Sequence, residues 1–200
     1  SQGVVSLRAD IAREESEVDG TGITVGVLSD SFACNPPAFL PGAPTSSKDQ
    51  DVSNAELPPN INILKDGPCP DGTDEGRAMG QLIHDVAPGA SLAFHTAFES
   101  EMDFAEGILR LKDAGADVIV DDVRYFAEPL FSDGMLAEAV DIVADGGAGV
   151  AAGRLLPSIR STARSVSRSV PTTLAGVMRP SERPTRMSCA PAITWWLVST

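Results

Sequence analysis

Two hundred residues, 42% of them hydrophobic, suffice for one sizeable core or for a domain with a tail. The net charge of −13 is unevenly spread: residues 1–153 carry −19, and residues 154–200 carry +6. A body this acidic repels phosphate, and no apolar run approaches the ~20 residues that cross a bilayer, so neither nucleic acid nor membrane is an expected partner.

Residues 1–21 read as a polar lead-in with one short helix over about 7–15. Ser1 is not followed by a basic and then apolar leader, so a signal peptide is expected to be absent or already removed. VDGTG (Val18–Gly22) is turn chemistry feeding GITVGVLSDSF, where Ile23, Val25 and Val27 alternate with smaller residues. That pattern predicts a buried strand with Asp30 at its carboxyl end, where open parallel sheets collect ligand and catalytic groups. By itself Asp30 reads first as a turn or helix-capping aspartate.

A Pro-, Ser- and Asp-rich connection of unusual length follows, about 35–72, with a short edge strand expected at Ile61–Leu64. Thr73–Val86 predicts a helix with Met79, Leu82, Ile83 and Val86 on its apolar face and Asp74 and Glu75 in its first turn. APGA (Ala87–Ala90) stops that helix, and 91–97 is a second strand. Ser100 and Asp103 resemble a capping box for a helix to about Ala114 that presents Phe104, Ile108 and Leu111 on one face. DVIVDDV (Asp117–Val123) predicts a third strand ending in Asp121 and Asp122; a helix over 134–145 and a strand over 148–152 complete the series. This alternation predicts an α/β fold, a parallel sheet with helices on both faces. Beyond Gly153 the hydrophobic periodicity fades, and the sheet lacks the elements that should continue it.

In their order, GVLSD, DEGRAMGQLIHDVAPGA, ADVIVDD and GVAAG resemble the subtilase superfamily of serine peptidases, subtilisins and sedolisins together, over about residues 20–153. The resemblance implies a subtilisin-like domain at 22–153, incomplete at its C-terminus and carrying a long insertion at 34–72. The implied activity is endopeptidase, its partner a peptide or protein substrate, with no cofactor. In subtilisins the helix corresponding to Thr73–Val86 opens with His-Gly-Thr, and the His is the general base; here Glu75-Gly76-Arg77 takes that place. Sedolisins use a Glu, but carry an Asp one helical turn later, where this chain has Met79.

A serine nucleophile must lose its proton during attack, and a carboxylate serves as base if burial or a second carboxylate raises its proton affinity. Glu75 beside Asp30 would be such a pair; its other reading is a glutamate that stabilises the helix dipole. His84 lies nine residues beyond Glu75, half a turn off and ~13 Å along the axis, and faces away. His84 and His95 read as structural, and no metal-spaced cluster occurs. Asp121 or Asp122 falls near the segment where the superfamily places its oxyanion-hole side chain, and a protonated Asp can donate there in acid.

No Gly-Thr-Ser nucleophile motif is present. The nearest string, RMSCAP, makes Ser188 a weak candidate, and Arg154 stands where the family has the Asn of Ala-Gly-Asn. The chain is therefore expected to be inactive, with the Arg/Ser/Pro-rich stretch 154–200 a non-native continuation such as a shifted reading frame or a disrupted gene yields. Cys34 and Cys69 flank the insertion and either bridge it or remain free thiols; a bridge fits the secreted habit of the superfamily. A second class stays open, a non-catalytic module that binds a basic peptide or a cation. A receiver-like domain is a third, opposed by the APGA stop and the insertion. Oligomeric state is not readable from these residues.

Overall fold

The computed structural model describes residues 2–36, 44–129 and 131–152. Ser188 and the stretch 154–200 lie outside them. Five parallel strands form one sheet: β1 (Thr24–Ser29), β2 (Ile61–Lys65), β3 (Ser91–Thr96), β4 (Val118–Asp121) and β5 (Gly149–Ala152). Their order is β2-β3-β1-β4-β5, so β1 is central and β2 is the predicted edge. Helices cover both faces, as the alternation of elements requires.

Strand parity sorts the core. Val25, Val27, Leu92 and Phe94 pack on one face with Met79 and Ile83 of α4 (Glu75–Val86). Leu28, Ala93 and Ile119 face the other way, against Phe104, Ile108 and Leu111 of α5 (Glu101–Asp113) and Leu136, Val140 and Val143 of α6 (Met135–Asp145). Ser100 Oγ accepts the Asp103 N–H at 3.0 Å and caps α5.

The lead-in holds two helices where one was expected. α1 (Gln2–Ser6) and α2 (Ala9–Ser16) are separated by Arg8 in a left-handed conformation, a break that no Gly or Pro announces. Arg13 of α2 donates to the carbonyls of Asp85 and Val86, 2.8 Å each, satisfying the C-terminal end of α4. The expected apolar face of α4 is also revised, since Leu82 and Val86 are exposed. Met79 and Ile83 of that face do pack on the sheet, and Gly76 and Gly80 let the helix approach it closely. A Cβ at Gly76 would lie 2.4 Å from the Phe94 ring and 2.8 Å from the Ser31 carbonyl, so only glycine lets the first turn come this close.

The insertion carries α3 (Lys48–Ser53), opened by a capping box between Ser47 and Gln50. Cys34 and Cys69 form a disulfide with Cα atoms 5.1 Å apart, resolving the open alternative in favour of a bridge. At the amino-terminal edge of the sheet, Asp117 Oδ2 accepts the Thr24 N–H at 2.9 Å. The Asp117 N–H donates to the Thr24 carbonyl, and its own carbonyl accepts from Gly149.

Candidate active site

β1 runs straight into Asp30, whose carboxylate is buried and encircled by donors. Oδ1 accepts the N–H groups of Ser31 and Glu75, the latter at 2.9 Å. Oδ2 accepts the Thr73 N–H and, at 2.7 Å, the Thr73 hydroxyl. The Asp30 carbonyl takes the Thr96 hydroxyl at 2.7 Å, which fixes the strand end from the β3 side. Four donors on one carboxylate leave it little freedom, and one of them is the first amide of α4, so Asp30 pins the start of that helix.

Glu75 opens α4 and reaches solvent. Partial burial, with the carboxylates of Asp122 and Asp30 beside it, pushes its carboxyl above the ordinary value of 4.5. Asp122 lies one residue past β4. Its carboxyl is also raised, chiefly by burial, while a hydrogen bond from Ser29 Oγ at 3.3 Å opposes the rise.

Parity separates the two candidate aspartates. Asp121 follows Ile119 onto the α5–α6 side, within β4 and paired in register with Leu28 and Ala152. Asp122 follows Val118 and Val120 onto the α4 side, where Glu75 stands. Three carboxyl groups, Asp30, Glu75 and Asp122, thus converge at the carboxyl ends of β1 and β4 and the first turn of α4.

His84 lies in the last turn of α4, at the end opposite Glu75. His95 is fully buried, with Nδ1 2.7 Å from the Thr96 carbonyl. Asp66 gathers near the two cysteines, but their sulfurs are joined to each other and its carboxylate accepts the amides of Phe32, Ala33 and Gly67.

Several residues that shape this site were given no role in it from the sequence. Thr73, Ser29 and Thr96 supply hydroxyls, and Asp74 and Arg77 are buried beneath the first turn of α4. Position next to Asp30 or Glu75 in the chain was the available signal for Ser29 and Asp74; nothing marks the others. Beside Glu75 a groove of about 560 Å³ runs between Pro44–Ser46 of the insertion and α4, with Thr73, Ala78 and Gln81 along it. The groove runs beside a carboxyl group whose affinity for a proton is raised.

No protein-family model matches the sequence, and no curated protein matches it. Solved structures of similar fold include the self-cleaved protease domain of PatA, at 21% identity and a TM-score of 0.44, covering 68% of this chain and 50% of that one. The prenylagaramide maturation protease PagA is similar at 19% identity and a TM-score of 0.45, covering 70% and 49%. MycP1 with its N-terminal propeptide removed is similar at 20% identity and a TM-score of 0.41, covering 75% and 47%. The chain spans about half the length of each of these structures. In its own residues it resembles the subtilase superfamily through Asp30 after the central strand and a helix that opens at Glu75-Gly76 and stops at Ala87–Ala90.

Proposed function

We propose that the chain carries the base and the electrostatic part of a subtilase-like serine endopeptidase site. The observation behind this reading is the convergence of Asp30, Glu75 and Asp122 beside an open groove, with two of the three carboxyls raised. Glu75 would take the proton of a serine hydroxyl as its oxygen bonds to the peptide carbonyl carbon, then return that proton to the leaving amine. Asp30 holds the helix start and strengthens Glu75 as a base through its charge. Asp122, in preference to Asp121, would be the protonated donor to the carbonyl oxygen as negative charge develops there.

Glu75 must be ionised and Asp122 protonated at the same moment. With the two required in opposite protonation states, activity would follow a bell in acid. Without a Gly-Thr-Ser nucleophile motif, these 200 residues alone are proposed to bind peptide without turning it over. The disulfide supports an oxidising, secreted setting.

The test is cleavage of a denatured protein at about pH 3–7, with Glu75→Gln alongside and peptide binding followed by fluorescence. Binding without turnover in both supports the incomplete site, whereas turnover abolished by Glu75→Gln places a working serine elsewhere in the chain. Turnover unaffected by Glu75→Gln would overturn the role of Glu75. The binding-module reading is favoured by the missing nucleophile motif, and it predicts tight, salt-sensitive capture of basic peptides with no pH bell.

A further inference from the structure

Glu75 is the first residue of its helix, and helix ends fray unless something outside the helix ties them down. In this chain much of that tie comes from the insertion. Asp74, at the N-cap, has a left-handed backbone (φ 60°), and its side chain makes no cap hydrogen bond. Its carboxylate instead accepts the amides of Cys34 at 2.8 Å and Asn35 at 2.9 Å, together with the Ser31 hydroxyl at 3.2 Å. Its own N–H donates to Ser31 Oγ at 2.8 Å.

One turn further on, Arg77 is only 1% exposed, an unusual place for a guanidinium. All of its reach is spent on the insertion and on Asp74. Nη2 donates to the Ser46 carbonyl at 2.9 Å and lies 3.1 Å from Asp74 Oδ2. Nη1 meets Asn35 Oδ1 at 3.3 Å, and Nε lies 3.5 Å from Asp51 Oδ2 of α3. The planar guanidinium thus makes two hydrogen bonds, to Asn35 and Ser46, and two ion pairs, with Asp74 and Asp51.

We propose that Arg77 is a positioning residue for Glu75, acting through a buried clasp with Asp74 and Asp51 by which the insertion sets the direction of the first turn of α4. This rests on the reading of Glu75 as the base, but its readout does not. The groups facing Glu75 are Asp122 past β4 and Asp30 past β1, with Asp74 and Arg77 buried on its own helix. If the clasp opens, the first turn is free to lean into solvent, and the Glu75 carboxyl loses the partial burial and then the two neighbours that raise it.

The experiment is a carboxyl titration of Glu75 by carbon-detected NMR in the full chain, with hydrogen exchange of the Glu75 amide that donates to Asp30. Arg77→Met is expected to lower the Glu75 midpoint toward 4.5 and to speed exchange of that amide. Arg77→Lys, which keeps the charge without the fork, is expected to fall between it and the parent. Lys65→Met is the control, since it removes the bridges to Glu99 and Asp103 at the sheet edge and should leave Glu75 unmoved. Asp51→Asn tests the same clasp more gently if Arg77→Met fails to fold. A folded clasp variant with the parent titration overturns the proposal, as does an equal displacement in Lys65→Met. A failed peptidase assay leaves this result standing, and an unmoved titration leaves the peptidase reading standing.

Discussion

Beneath α5 and α6 the sheet meets a continuous apolar layer, with Phe104, Leu111, Ile119 and Val143 at most 2% exposed. On the opposite face the apolar cluster is smaller, and α4 is fastened at its start by buried polar groups: Asp30, Asp74, Arg77 and Asp51. Burial is non-directional and tolerates small shifts, whereas hydrogen bonds to a carboxylate or guanidinium fix position and angle. The α5–α6 side therefore holds the larger share of the apolar burial, and the polar side supplies the geometry of the carboxyl cluster. Damage to each should show in a different measurement.

The largest effect is expected from Phe104→Ala. Removing this ring from the apolar side should cost about 3–5 kcal/mol, read as a lowered urea midpoint, while the Glu75 titration in the remaining folded protein stays where it was. Opening the Cys34–Cys69 bridge by paired Ser substitutions should cost about 2–4 kcal/mol, because the bridge closes a loop of 35 residues. Since the Cys34 amide binds Asp74, this change should also disturb Glu75. An undisturbed Glu75 would show that the clasp holds without the bridge.

The smallest effect is one of pH. Glu75 and Asp122 are both raised in the folded state, so the native protein holds their protons more tightly than the unfolded chain does. Stability from this source is present in acid and is lost as pH rises through the ordinary and then the folded values. Asp122→Asn should therefore match the parent near pH 3 and become the more stable of the two toward pH 7, by urea unfolding at both ends of the range. A difference of the opposite sign would mean that Asp122 is stabilised as an anion.

The apolar side was legible from the sequence because period-two strands and 3.6-period helices write themselves into residue order. Phe104, Ile108 and Leu111 were placed on one face, and that face is buried. Asp30 and Glu75 were legible as ends of elements, and the structure brings them together. The choice between Asp121 and Asp122 was not, because parity says only that they point to opposite faces, and which face receives α4 is a tertiary fact. The burial of Arg77 was not legible for a related reason: a charged residue in a helical pattern reads as solvent-facing, and only the returning insertion buries it. The capping box of α3 was written plainly at Ser47 and Gln50, but too few apolar residues follow for periodicity to flag a helix.

Asp117 bears on all of this from the far side of the sheet. By joining Thr24 to itself and to Gly149, it aligns the starting points of β1, β4 and β5. Successive side chains alternate faces, so sliding β4 by one residue would carry Asp122 away from Glu75 and bring Asp121 in its place. β4 has four residues, a span of roughly 13 Å, and all four are paired in register with β1 on one side and β5 on the other. Asp117 acts as the zero mark of a ruler whose other end is the carboxyl cluster, and moving the mark would exchange one aspartate for the other without altering any residue near them.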